Sequence, residues 1–385
     1  MSTAEIHKKG VIFGAGRVGS FCAHNLAEDG HDVLVVDSSL ENLTRIQGRC
    51  DVRIAQADLS DRSSVARYAE QAEFAMAAVP GGIGFSVFQA MVGAGVPMVV
   101  DISFSPEDAR TMNSVAQERN VTAGVQVGIG PGMPEVLAAH EYSKGMTIEK
   151  LTCMTGCLPI RRDNPPHHIA SFNPADTLRL YFDPADYVYD GQTVFADDPF
   201  TEYVRHDIPG VGPMVGVLTA GLKTLSELPG LREAREVTYR DPRHVALMRS
   251  MYEMGLFSED PICVSGSTVV PRDFMLKILA KHWLPRPNED DVTVLRLELE
   301  GKKDDADTQV VYEMVDRNAD GYSSLARTTA AAALSVLHVM INGMLNGPGI
   351  LTPTDIGLQR EVVSAMIKHH KNRNGITYAR SERAK

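Results

Sequence analysis

The segment Gly14-Ala15-Gly16-Arg17-Val18-Gly19 constrains this chain more than any other. It follows the short apolar run Val11-Ile12-Phe13 and opens a helical pattern from Arg17 to Glu28, which Gly30 stops. In a strand–turn–helix of this spacing, Gly14 permits the tight turn. Gly16 lets the backbone approach a pyrophosphate, and Gly19 lets the helix pack closely on the strand. The helix start then offers free N–H groups and a partial positive charge to phosphate.

Asp37 closes the next apolar run, which begins at Asp32. An acid at this distance accepts hydrogen bonds from ribose hydroxyls and repels a 2′-phosphate. Ser38, Ser39 and Leu40 follow, with no arginine among them to receive that phosphate. The cofactor expected is therefore NAD, held by Gly14, Ala15, Gly16, Arg17, Val18, Gly19, Asp37 and Ser38. Asp58, after a third strand pattern, is either a neighbour of the adenine or a turn and cap residue. Val79, Pro80 and Gly82 fall in a Gly/Pro loop at the end of a fourth strand, where ligands of open parallel sheets lie.

The strand–helix alternation continues to residue 127. Strands are expected at 11–13, 32–36, 52–57, 74–79, 98–102 and 121–127. Helices are expected at 17–28, 40–48, after a cap at Ser60 or Asp61, and at 106–118. Six strands in this rhythm imply an α/β fold with a Rossmann-type doubly wound parallel sheet. Beyond Pro131-Gly132 the texture changes. A hairpin turns at Asp190-Gly191 and a second joins 292–300 to 309–315 through a charged loop. Helices are expected at 242–254, 272–282 and 328–345. The reading is a second α+β domain with a mixed or antiparallel sheet at 128–349, and a Rossmann domain at 1–127 completed by a C-terminal helix within 350–372. The tail, 368–385, is polar and basic and is expected to be a solvated end.

Composition excludes several classes. The chain has 385 residues, 44% of them hydrophobic, enough to bury a core without disulfide or metal staples. With 38 Lys+Arg against 49 Asp+Glu, its net charge of -11 argues against a nucleic-acid binder. Five cysteines without a CxxC pair suggest reduced, buried thiols in a cytoplasmic protein. The polar start, Met1 to Lys9, carries no signal-peptide pattern. The Ala-rich stretch 330–341 is shorter than the ~20 residues of a membrane span and suits a buried helix, so no membrane partner is expected. No spacing suggests a metal site.

Four blocks in order along the chain carry a family resemblance. They are Val100-Asp101-Ile102-Ser103-Phe104-Ser105-Pro106-Glu107-Asp108, Gly128-Ile129-Gly130-Pro131-Gly132, Thr238-Tyr239-Arg240-Asp241-Pro242-Arg243-His244 and Ala326-Arg327-Thr328-Thr329. They resemble the saccharopine dehydrogenase-like family, most closely its lysine 6-dehydrogenase branch. The resemblance implies an NAD(P)-dependent oxidoreductase acting at a carbon–nitrogen bond: oxidation of the terminal amine of L-lysine, with release of ammonia. It also implies a homodimer, and a last helix, 353–370, that returns to the Rossmann domain. The chain departs from that branch at Gln126, Ile169 and Ala220, where the branch has an acid, a lysine and an acid.

Amine oxidation by hydride transfer needs a base, a near-attack pose and a cation for the substrate carboxylate. Asp101, at the end of the fifth strand, is a candidate to orient or deprotonate the amine, or is a structural acid. His244 titrates near neutrality and suits proton transfer, unless it is simply satisfied within a packed helix start. Ser103 is a candidate donor to substrate or cofactor. Arg240 and Arg327 suit a carboxylate through paired donors, or else form an ion pair. His167 and His168 are expected in a loop without a site role, and His338 in a core or interface. Glu135 is expected to stabilise a helix start after Gly132. Two other readings stay open: a reductase forming or splitting a secondary amine, like saccharopine or carboxynorspermidine dehydrogenases, and a non-catalytic NAD-binding sensor.

Overall fold

The computed structural model describes residues 6–162, 165, 167–170, 174–181, 185–196, 198, 200–219, 228–284 and 289–384. The chain forms two compact units, 1–145 with 326–377, and 146–325 with 378–385.

Unit 1 begins with β1 (Lys9–Phe13), α1 (Arg17–Glu28), β2 (Asp32–Asp37), α2 (Leu40–Gln47) and β3 (Arg53–Gln56). It continues with α3 (Arg62–Ala69), β4 (Phe74–Ala77), α4 (Gly81–Gly93) and β5 (Met98–Asp101). Then come α5 (Asn113–Glu118), β6 (Thr122–Val125) and α6 (Met133–Ser143). Unit 2 holds β7 (Thr147–Pro159), α7 (Pro174–Arg179), β8 (Asp186–Tyr189), β9 (Gln192–Phe195), β10 (Glu202–Ile208) and β11 (Gly212–Thr219). It adds β12 (Glu233–Arg240), α8 (Pro242–Glu253), β13 (Ile262–Val264), β14 (Ser267–Val269) and α9 (Pro271–Trp283). The long hairpin β15 (Asp291–Lys303) and β16 (Ala306–Arg317) follows. Helix α10 (Ser324–Ile341) starts in unit 2 and continues in unit 1, where β17 (Gly349–Leu351), α11 (Pro353–Gly357) and α12 (Arg360–Asn374) complete the fold. The chain ends in unit 2 with β18 (Ala379–Ala384).

The unit 1 sheet runs β17-β6-β5-β4-β1-β2-β3, and every pairing in it is parallel. The strand order reverses between β1 and β4, so β1 ends at the topological switch point where such sheets bind ligands. Phe13, Val87, Phe88 and Met91 share the core between this sheet and its crossover helices. Burying one such side chain stabilises by roughly 1.5–3 kcal/mol. The unit 2 sheet runs β10-β11-β12-β7-β15-β16-β18, with β8 and β9 branching from β12. It is mixed, because β12 runs parallel to β7 while the other pairings are antiparallel.

Several expectations need correction. Gly81 to Gly84 do not form a loop; they are the first turn of α4. A Cβ on Gly81 would lie 2.1 Å from the Phe104 carbonyl oxygen, and one on Gly84 would lie 2.5 Å from Ser103 Cβ. Glycine there serves close packing against the 103–105 segment, which overrides its poor helix propensity. The helix after β5 starts later than Pro106: Asp108 caps a 3₁₀ turn at Ala109–Met112 that leads into α5. The tail is not a loose end, since α12 reaches Asn374 and β18 pairs with β16. All six β18 residues are exposed, so alternation of apolar and polar residues could not reveal the strand. Cys22, Cys153 and Cys157 are buried, whereas Cys50 is half-buried and Cys263 exposed. Helix α10 is long and apolar enough by composition to cross a membrane, but 78% of it is buried inside the protein, as a core helix is. His338 is exposed and lies against His369, 4.4 Å between ring centres, with the rings tilted by 30°.

Candidate active site

In unit 1 the glycine turn is built as its spacing implies. Gly14 has φ +104°, and a Cβ there would meet the Ala78 carbonyl oxygen at 2.3 Å. A Cβ on Gly19 would meet the Gly14 carbonyl oxygen at 1.9 Å, so α1 sits against the turn as only glycine allows. A Cβ on Gly16, the N-cap of α1, would meet nothing within 4 Å. Strand and helix therefore require Gly14 and Gly19, while at Gly16 the protein leaves open space. Arg17 and Val18 open the first turn of α1, whose N–H groups have no side-chain cap.

Asp37 stands at the end of β2. Its Oδ2 accepts from Ala15 N–H at 2.6 Å and its Oδ1 from Ser39 N–H at 2.7 Å. Each oxygen keeps a lone pair for a further donor. Open space at Gly16, an uncapped helix start and an oriented carboxylate fit a dinucleotide, its phosphates at α1 and a ribose at Asp37 and Ser38. Asp58 is exposed and binds Ser60 through N–H at 2.9 Å and the hydroxyl at 2.7 Å, which holds its carboxyl below the usual range. Val79 and Pro80 lead into α4, so Gly82 lies in a second helix start at the carboxyl edge of the sheet.

Asp101 ends β5 at the same edge. It is 4% exposed, and its Oδ1 accepts from Ser103 N–H at 3.0 Å. Burial pushes its carboxyl up to about 7, against the opposing pull of Ser103. Ser103 is buried as well, and by geometry its hydroxyl makes no hydrogen bond among the described residues. Arg327 lies on α10, 8% exposed, donating from Nη2 to the Asn374 carbonyl at 2.9 Å with its guanidinium over the Phe21 ring. Glu135 takes the role expected of it: its Oε2 accepts from Gly132 N–H at 2.7 Å in the first turn of α6.

Unit 2 brings Arg240 and His244 together around a residue that the sequence did not single out. Arg240 ends β12, and His244 lies in the first turn of α8, which Asp241 caps through Arg243 N–H. The Tyr181 hydroxyl lies 2.6 Å from His244 Nε2 and accepts from Arg240 Nε at 3.0 Å. Arg240 Nη1 donates to the Tyr239 carbonyl at 2.9 Å. His168, expected in a loop without a role, is buried and stacks on His244, 4.5 Å between ring centres. The Trp283 ring meets both imidazoles edge-on. Burial, with His244 and Arg240 nearby, holds His168 well below the usual imidazole range. Among the described residues, neither His168 nitrogen nor the Trp283 indole nitrogen has a hydrogen-bond partner. His167 bonds the Arg162 carbonyl at 2.7 Å. Ala220 and its neighbours 221–223 lie outside the described residues.

Residues 11–123 match the family described as Saccharopine dehydrogenase NADP binding domain, and residues 128–376 match Saccharopine dehydrogenase C-terminal domain. Alpha-aminoadipic semialdehyde synthase of Arabidopsis thaliana is 25% identical over 219 residues, a stretch spanning 49% of this chain and 20% of that protein. Among solved structures, apo saccharopine dehydrogenase (L-Glu forming) from Saccharomyces cerevisiae superposes with a TM-score of 0.80. It covers 98% of this chain and 100% of its own, at 18% identity.

Proposed function

From the premise that this chain belongs to the saccharopine dehydrogenase family, we propose that it is an NAD-dependent oxidoreductase acting on the C–N bond of an amino acid, with the terminal amine of L-lysine as its first candidate substrate. The observation that carries this reading is the Arg240–Tyr181–His244 group, a buried cation beside a buried imidazole. Arg240 suits the substrate carboxylate, and Arg327 is the second candidate for that role. His244 and Asp101 are the candidate bases. An acid that titrates near 7 is ionised at slightly alkaline pH, where it can take the amine's proton. Ser103 places a buried hydroxyl beside Asp101. A bound nicotinamide would supply a hydride acceptor, so that amine oxidation would give an imine for water to hydrolyse to an aldehyde and ammonia. Asp37 favours NAD over NADP. The unit is proposed to act as a homodimer.

A second reading is the oxidative splitting of a secondary amine such as saccharopine, the compound for which the family's members are named. Incubation with NAD and either L-lysine or saccharopine separates the two. The lysine reading expects NADH and ammonia in equal amounts, and the saccharopine reading expects NADH without ammonia. Melting curves with NADH and NADPH test the coenzyme, since the ligand bound more tightly raises the melting point further. Coenzyme binding without NADH formation from any amine would overturn both readings and leave an NAD-binding sensor.

A further inference from the structure

We propose that Tyr181 is a positioning residue of the unit 2 centre: its hydroxyl sets the tautomer of His244 and the pose of Arg240. The part concerning substrate rests on the function proposed above; the part concerning the tautomer does not. Tyr181 is 1% exposed, and its ring stacks on Phe200 at 5.7 Å, so the hydroxyl has little freedom to turn away. That hydroxyl has two neighbours, Arg240 Nε at 3.0 Å and His244 Nε2 at 2.6 Å.

Donor counting decides the arrangement. A guanidinium has only donors, so the phenolic oxygen must accept from Arg240. Burial raises the Tyr181 pKa despite the guanidinium beside it, so the hydroxyl keeps its proton. Among the described residues that proton has one acceptor in reach, His244 Nε2. The ring proton of neutral His244 therefore sits on Nδ1. In the opposite tautomer both neighbours would donate to the phenolic oxygen, and the Tyr181 proton would be buried without an acceptor. An orphaned buried donor is costly, which disfavours that state.

The same hydroxyl fixes Arg240. With Nε on Tyr181 and Nη1 on the Tyr239 carbonyl, the guanidinium plane is held on two sides. Nη2 has no partner among the described residues and is the donor left for a ligand. Among the described residues, four face His244 from other elements: Tyr181 follows α7, Arg240 ends β12, His168 stacks from the segment before α7, and the uncharged Trp283 ring meets it edge-on from the end of α9. On its own helix, Asp241 and Arg243 bond each other. His168 is held uncharged by burial, and Arg240 brings a formal charge to the Tyr181 hydroxyl that the imidazole bonds.

Two measurements on the full chain test this. Two-bond proton–nitrogen spectra of the histidine rings, assigned with His244→Gln, report the tautomer directly. The wild type is expected to show the Nδ1-protonated ring at His244, and Tyr181→Phe, which keeps the packed ring, is expected to move it to a mixture or to the Nε2-protonated form. In kinetics with an amine that is oxidised, Tyr181→Phe should raise the KM for that amine roughly five- to tenfold, with little change for NAD, and displace the pH limb of kcat/KM. An Nε2-protonated His244 in the wild type, or an unchanged spectrum in a Tyr181→Phe protein that melts normally, overturns the proposal. If the variant does not fold, the wild-type spectrum alone decides. A chain that oxidises no amine defeats the proposed function while the spectra still judge Tyr181.

Discussion

Gly16 and Gly19 have the same chemical identity and opposite structural demands. Gly19→Ala places a Cβ 1.9 Å from backbone, so α1 must shift. The expected loss is on the order of 1–3 kcal/mol, read as a lower melting point. Gly16→Ala meets open space at an allowed backbone conformation, so its melting point should stay near the wild type. Its NADH affinity, followed by fluorescence titration, should still fall at least tenfold if the phosphates approach there. Equal affinity in Gly16→Ala and wild type would remove the phosphates from that turn. Asp101 gives a pH test. Its carboxyl titrates near 3.8 when unfolded and about 7 when folded. Below the lower value both states are protonated and nothing is lost. Between the two values only the unfolded state ionises, so this group makes stability fall as pH rises, until about 7. Asp101→Asn should therefore gain stability over wild type progressively from pH 4 to pH 7, by up to about a few kcal/mol, read as a growing difference in melting temperature. A difference that is flat with pH would show that Asp101 is not held neutral by burial. Residues with a fixed backbone job, Gly14 and Gly19, were readable from spacing; the bonds of Asp37 to Ala15 and Ser39 N–H were not, since spacing marked it only as a ribose acceptor. Tyr181, His168 and Trp283 were not, because a loop tyrosine, a histidine after prolines and a lone tryptophan reveal their meeting only once β12, α7 and α9 are placed.

At the scale of elements, the legible ones had a periodic buried face. The α1 boundaries follow from Gly16 and the apolar positions that α1 buries, and β15 and β16 from alternation. Strand β7 was missed although it lies at the centre of its sheet, because it is buried over most of its length and does not alternate. Strand β18 was missed for the opposite reason, exposure along all of its length. It contributes backbone pairing and a few charged contacts, such as Lys303 Nζ to Glu382 at 2.8 Å. Such exposed ion pairs contribute little, typically under ~1 kcal/mol. Removing 379–385 should thus cost little melting temperature. It should instead leave the β16 edge open, with faster amide exchange at 308–313 and a greater tendency to aggregate in light scattering. Unchanged exchange there would mean that the strand does not form in solution.

The whole molecule was legible as a doubly wound sheet followed by a second, mixed one, because strand–helix rhythm encodes topology. Its interleaving was legible only in part: the return of the last helix was expected from the resemblance, but the strand β17 that returns before it was not, since more than 170 residues of unit 2 intervene. The proposed homodimer predicts twice the 41.9 kDa chain mass in light scattering after gel filtration; a single-chain mass at working concentration would refute it. The interleaving also governs how the protein can be made. A ribosome delivers β17 only after the whole stretch that separates it from β6, so the amino-terminal sheet must wait, one edge uncovered, while its successor is synthesised. Halves produced separately would each lack a strand that the other half encodes, and an insertion or permutation scheme that respects this threading should succeed where a cut in the middle fails.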